Sequence, residues 1–395
     1  MDYTTIPSPS YIIDERLLTR NLKLLKSVRE FAQVEIIMAF KAFAVWGAFP
    51  IIKQYFNLTT ASSLAEARLA REEMGTFAHT YAPIFTEREF AKIAEYSSHI
   101  TFNSLAQFEK FYPRMTDSQR KISCGLRINP EVSVVETDLY NPAVPGSRLG
   151  VIADLLPETL PEGIEGLHFH VLCENSSYDL EKVLKVVDEK FSKYFPQIKW
   201  LNMGGGHLIT QKDYDTEHLI ALLRQFKTKY PHLQIILEPG AAFVWQTGVL
   251  VSTVQDIVEN RGIKTAMLDI SFACHLPDCL EMPYQPEIEG AERCQMSSSK
   301  YQEANASRLL PLASETIYRL GGNSCLSGDY LGDWIFEKPL QVGDKIVFKD
   351  MIHYTMVKTT MFNGVSHPNI GIWTQNNDFK LIRSFDYEDY KNRMS

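Results

Sequence analysis

Along the first 240 positions, apolar and β-branched residues recur in short runs, mostly separated by stretches of helical periodicity. The runs are VEIIMAF (34–40), LTTAS (58–62), HTYAP (79–83), HITFN (99–103), ISCGLRIN (122–129), IEGLHFHV (164–171), KWLNM (199–203) and QIILE (234–238). Runs of this length, rich in Val, Ile and Thr, read as strands. Between them, segment 63–74 has apolar residues at helical spacing, Ser63 at the N-cap position and Gly75 just past the end. Segment 179–194 lines up Leu180, Val183, Leu184, Val187 and Phe191 on one stripe. Strand–helix alternation implies parallel strands joined by right-handed crossovers. Eight repeats in roughly 210 residues match the size of a closed (β/α)8 barrel of TIM type. A doubly wound open sheet is the alternative.

After about residue 246 the pattern changes. GVLVSTVQDIV, KTAMLDISF, LQVGDKIVFKD and MIHYTMVKTT read as strands joined by turns, with little helical periodicity. They predict a mostly antiparallel β-domain over 246–395. The strand-like SYII beginning at Ser10 precedes a helix over 17–30, so residues 1–20 are expected to join that domain and leave 21–245 for the barrel.

Composition narrows the function classes. At 395 residues the chain exceeds one ordinary core. Its 45% apolar and 22% charged residues exclude a disordered polymer. Forty Lys+Arg against 48 Asp+Glu leave a net charge of −8, whereas a general nucleic-acid binder is basic. Six cysteines without a CxxC pair fit neither a disulfide framework nor a zinc ribbon. The CHLPDC segment (274–279) lacks a second ligand pair, so no metal is expected. The first residues show no basic, apolar leader. The most apolar stretch, 36–52, is interrupted by Lys41, Gly47 and Pro50 and is too short to span a bilayer. A cytoplasmic protein without membrane or nucleic-acid partners is expected.

Four features carry chemistry. Lys41 follows the first strand within an apolar setting, and desolvation lowers a lysine pKa toward what a Schiff-base amine needs; taken alone, a snorkelling or salt-bridged lysine fits as well. His170 ends the sixth strand and shares a strand face with His168. Gly204-Gly205-Gly206 follow the seventh strand, where barrels commonly hold phosphate on backbone N–H groups. Glu238 ends the eighth. All four sit at C-terminal strand ends, the catalytic face of such a barrel. An amine, an imidazole, a phosphate cradle and a carboxylate suit pyridoxal 5′-phosphate, whose protonated ring acts as an electron sink.

The motifs MAFKAFAVWGAF, TASSLAE, GLHFHVLCENS, LNMGGGH, LEPGAA, LDISFACHLPDCLEMPYQP, GGNSCLSGDY and HYTMVKTTMFNG resemble those of the fold-type III, alanine racemase-like pyridoxal-phosphate decarboxylases, specifically the carboxynorspermidine/carboxyspermidine branch. The resemblance covers nearly the whole chain. It implies Lys41 as the Schiff-base lysine, His170 stacked on the ring, Gly204, Gly205 and Gly206 on the phosphate, Glu238 on the pyridine nitrogen and Tyr354 reaching the phosphate. It also implies a homodimer in which Cys325, with Asp329 nearby, comes from the neighbouring subunit. His275, Asp278, Glu281, Asp329 and Arg148 are candidate substrate contacts. The implied reaction is decarboxylation of a carboxypolyamine in polyamine biosynthesis. Diaminopimelate decarboxylation is the alternative, disfavoured because EPGAA places Ala241 where that branch usually has an arginine. A non-enzymatic pyridoxal-phosphate carrier is a further alternative. Cys173 stands where relatives often carry a phosphate-binding serine, which leaves its role open.

Overall fold

The computed structural model describes residues 1–115, 120–135, 138–281, 284–294 and 316–395. Within LDISFACHLPDCLEMPYQP, residues 282–283 lie outside them. The chain divides into two compact units, Thr19–Trp245 and Met1–Leu18 with Gln246–Ser395.

Strand β1 (Ser10–Asp14) runs into helix Glu15–Ala32, whose first turn is capped by Asp14: its Oδ1 accepts from Arg16 N at 2.8 Å and Leu17 N at 3.1 Å. The strands that follow are β2 (Glu35–Ile36), β3 (Met38–Ala39), β4 (Thr59–Ala61), β5 (Ala78–Tyr81), β6 (Ser97–Phe102), β7 (Ser123–Arg127), β8 (Ile164–His168), β9 (Trp200–Asn202) and β10 (Gln234–Leu237). Each overlaps one of the eight expected runs, with β2 and β3 sharing the first. All pair in parallel, in the order β2-β10-β9-β8-β7-β6-β5-β4-β3. The first strand is split at Ile37. Ile37 N bonds Leu237 O at 3.0 Å, while Met38 N bonds Leu58 O at 3.1 Å on the other side. One short segment therefore joins both ends of the sheet, and the ring closes as a (β/α)8 barrel rather than an open sheet.

The helices obey their local signals. Ser63 Oγ accepts from Glu66 N to start Leu64–Leu69, a π turn carries on to Met74, and Gly75 ends it at φ +76°. Ser176 and Asp179 form a reciprocal capping box on Ser177–Phe191, whose expected apolar stripe is buried.

Inside the barrel, Trp200 fills the space over Gly125 and Gly166; a Cβ on Gly166 would lie 2.0 Å from the indole. Beside it, His79 and His99 stack with ring centroids 3.8 Å apart. Burial lowers the His99 pKa to about 4, with Glu165 pulling upward, and burial holds His79 well below its usual range. Unfolded imidazoles titrate near ~6.5. Between these values the unfolded chain binds protons that the folded barrel refuses, so stability falls as pH drops from about 6.5 to about 4. His99 alone should account for about 3 kcal/mol of that loss. Melting temperature measured across this range should fall with acid, and His99→Phe should reduce the slope.

The second unit is a nine-stranded sheet. To β1 it adds β11 (Gly248–Asn260), β12 (Ile263–Leu268), β13 (Ala291–Arg293), β14 (Ile317–Gly321), β15 (Tyr330–Phe336), β16 (Lys345–Lys349), β17 (Asn369–Trp373) and β18 (Phe379–Arg383). The order is β13-β15-β14-β12-β11-β1-β17-β18, with β16 on β11. Pairing is antiparallel except β1 with β17 and β12 with β14. Ile6, Ile12, Val249, Val251, Val347 and Trp373 form one of its cores. MIHYTMVKTT, expected as a strand, is not one. Tyr354–Val357 is a 3-10 turn entered with Tyr354 at φ +39°, a left-handed backbone that strand pairing excludes. Its Thr, Val and Tyr content misled, because β-propensity mostly reports packing context.

Candidate active site

A cavity of about 520 Å³ opens at the C-terminal strand ends of the barrel, lined by Lys41, Arg127, Arg148, His168, His170 and Glu238 among others. Lys41 lies two residues beyond β3, and its Nζ is 3.2 Å from His170 Nε2. The Gly205 N–H donates to His170 Nδ1 at 2.7 Å. A neutral ring must then carry its proton on Nε2, facing the lysine. Two donors cannot satisfy each other, so this contact fits a neutral Lys41 amine accepting from His170. Desolvation acts in the same direction. It lowers the Lys41 pKa against the pull of Glu238, and Arg127 adds to the lowering. Burial, then the charges of Lys41 and Arg127, keep His170 well below the usual imidazole range.

Glu238 stands one residue past β10. Asn202 Nδ2 donates to its Oε1 at 2.6 Å, and His168 Nε2 lies 3.8 Å from Oε2. Burial raises the Glu238 pKa, while the Asn202 bond, Lys41 and Arg127 oppose the rise.

The glycine triplet is wedged between the loops that follow β8 and β10. A Cβ would come within 2.5 Å of Phe169 O at Gly204, 2.4 Å of Glu238 O at Gly205 and 2.1 Å of Leu172 O at Gly206. Gly204 and Gly206 also have φ of +70° and +89°, which side chains other than glycine resist. The Gly204 and Gly205 amides donate to Asn202 Oδ1 and His170 Nδ1, so neither points at open space as a phosphate cradle would have it. They instead orient the two groups that face Glu238 and Lys41.

Arg127, Asn202 and Tyr81 were not singled out by sequence reasoning, and His168 was noticed only as sharing a face with His170. Arg127 is 4% exposed, bonds His170 O at 3.0 Å and lies 4.7 Å from the Tyr81 ring centroid. Tyr81 OH donates to Asn103 Oδ1 at 2.9 Å, and Asn103 Nδ2 holds the Arg148 carbonyl at 2.8 Å. The available signal was a polar residue closing an apolar run at a strand's C-terminal end: Arg in GLR, Asn in WLN.

The remaining candidates belong to the sheet unit. Cys325 is exposed, and its N–H donates to Asn363 Oδ1 at 2.9 Å. Glu281 is exposed at the end of helix Pro277–Glu281. The other three expected substrate contacts already have partners within the sheet unit. His275 is fully buried, with Nδ1 accepting from Ser271 N at 3.2 Å. Asp329 is 3% exposed and spends its oxygens on Ala273 N, Ser324 N and Ser324 Oγ. Asp278 is ion-paired with Lys358. Asp278 and Asp329 thus tie together segments distant in sequence.

Comparison with known proteins fits this chemistry. The family model described as pyridoxal-dependent decarboxylase, C-terminal sheet domain, matches residues 10–352. The chain belongs to the pyridoxal-dependent decarboxylases. It is 48% identical over 391 residues to a carboxyaminopropylagmatine decarboxylase from Synechocystis sp., covering 99% of this chain and 96% of that protein. It is 46% identical over 394 residues to a carboxynorspermidine/carboxyspermidine decarboxylase from Campylobacter jejuni, covering all of both. A solved carboxynorspermidine decarboxylase from Campylobacter jejuni, complexed with norspermidine, matches with TM-score 0.86 and 44% identity over 98% of this chain and 100% of that one.

The residues of this decarboxylase fit its cofactor, pyridoxal 5′-phosphate. A lysine amine with a lowered pKa, an imidazole and a carboxylate converge on one cavity. His168, 2% exposed, lines that cavity with neither ring nitrogen hydrogen-bonded among the described residues.

Proposed function

We propose that this decarboxylase acts on carboxynorspermidine and carboxyspermidine, releasing norspermidine and spermidine for polyamine biosynthesis. The observation that carries the reading is the Lys41–His170–Glu238 group in one barrel cavity, on a chain alike over its full length to the Campylobacter jejuni enzyme. A second substrate, carboxyaminopropylagmatine, is favoured by the 48% identity to the Synechocystis protein. Diaminopimelate fits less well, because the buried Ala241 offers no group to a second carboxylate.

The cofactor supplies the electron sink that receives the bonding pair when CO2 leaves. The protein does the rest. Lys41, its pKa lowered by desolvation and its Nζ beside His170 Nε2, would be the nucleophilic amine that holds the cofactor aldehyde. Glu238, held by Asn202, would face the ring nitrogen and keep a proton on it. Arg127 and His168 close the cavity wall around the group. Cys325, exposed on the sheet unit, is offered to the cavity of a second copy and returns a proton to the carbon that lost CO2, which makes the working species a homodimer. All six cysteines are unpaired, in keeping with a reducing cytoplasm. Among the described residues no helix is long and apolar enough to cross a membrane. The eight strands β11–β18 and the family membership set aside a bare cofactor carrier.

Incubating the cofactor-loaded protein with each carboxypolyamine should yield CO2 and the matching polyamine in equal amounts, measured by chromatography. Absence of polyamine from both would overturn the assignment.

A further inference from the structure

We infer that Asn202 is a positioning residue for the cofactor, aiming Glu238 through a hydrogen-bond chain that begins at the Gly204 amide. Asn202 ends β9 and is 3% exposed. A side-chain amide can face its neighbours in either of two orientations, and only its bonding partners decide which. Here the partner is unambiguous: the Gly204 N–H can only donate, and it lies 2.9 Å from Asn202 Oδ1. The opposite end is therefore the NH2 group, and it donates to Glu238 Oε1 at 2.6 Å. Gly204 O in turn accepts from Glu238 N at 2.7 Å, so backbone and side chain of Glu238 are both tied to the same glycine. The chain holds one carboxylate oxygen and leaves Oε2 turned toward His168.

This inference rests on the reading that Glu238 serves the cofactor ring nitrogen. Two variants test it in the full-length protein. Asn202→Ala removes the donor to a buried charge and should weaken pyridoxal 5′-phosphate binding about ten- to a hundredfold. Asn202→Asp keeps the shape and the acceptor for Gly204, but sets a second carboxylate against Glu238. A proton shared by the pair restores the donor, so its binding relative to wild type should approach unity at low pH and fall as pH rises and both groups ionise. A packing role predicts the same deficit at every pH. Glu238→Gln serves as the reference. If Glu238→Gln binds the cofactor as wild type does, the reading of Glu238 fails. If Glu238→Gln is weakened while both Asn202 variants bind normally, or if Asn202→Asp shows a pH-independent deficit, the Asn202 inference alone is overturned. Should Asn202→Ala not fold, the near-isosteric Asn202→Asp pH profile decides.

Discussion

Lys41→Ala should leave a folded protein that neither retains pyridoxal 5′-phosphate covalently nor decarboxylates. Lys41 opens onto the barrel cavity, and its neighbours are arranged for a neutral amine: His170 presents Nε2–H at 3.2 Å because Gly205 occupies Nδ1. Removing the side chain takes away the anchoring nucleophile, so kcat should fall below detection. Lys41→Arg should fare no better, because a guanidinium stays protonated and cannot attack an aldehyde. The lowered lysine pKa has a further consequence. More of the amine is neutral at a given pH than for a free lysine, so stripped wild-type protein should reload at pH values well below the ordinary lysine range. Visible absorbance after adding the cofactor measures this. A band that persists unchanged in Lys41→Ala would show that another residue anchors it.

Glu238→Gln should be the second most damaging change. The substitution keeps the size of the side chain and its contact with Asn202 but removes the charge that keeps a proton on the ring nitrogen. Deleting one preorganised electrostatic partner typically costs about 10²–10³-fold in kcat, and that range is expected here. The carboxylate is buried, which raises its pKa, and three neighbours work against that rise: Asn202, Lys41 and Arg127. Protonation of Glu238 on acidification should therefore begin at a higher pH than for an exposed glutamate, and activity should fall in that region. In Glu238→Gln this acid limb should disappear along with most of the rate. A Glu238→Gln enzyme with wild-type kcat would remove the carboxylate from the chemistry.

Much of the barrel was legible because parallel strands are buried on both faces, so they read as continuous apolar runs. The split of the first strand at Ile37 was not, since nothing in VEIIMAF distinguishes the residue that bonds Leu237 from the one that bonds Leu58. Residues 351–360 were misread because composition cannot report a left-handed Tyr354. In the site, Lys41, His170, the glycines and Glu238 stood out by falling at strand ends. Arg127 and Asn202 sit at equivalent ends, but each is one polar residue in an apolar run, and only ring closure brings Arg127 to the cavity and Asn202 to Glu238. The partners of charged groups were also not legible. Asp278 looks available in HLPDCLE until Lys358, eighty positions away, is found paired to it. Asp329 looks available until Ser324 and the Ala273 amide fill its oxygens. The glycine triplet was legible as a close backbone approach, but not as the element that sets the orientation of Asn202 and His170.

The most direct test is a comparison of kcat/KM for carboxynorspermidine, carboxyspermidine, carboxyaminopropylagmatine and meso-diaminopimelate with one preparation of the cofactor-loaded protein. Turnover of carboxynorspermidine or carboxyspermidine at a kcat/KM above that for the other two is the predicted result. CO2 release from meso-diaminopimelate alone would contradict it.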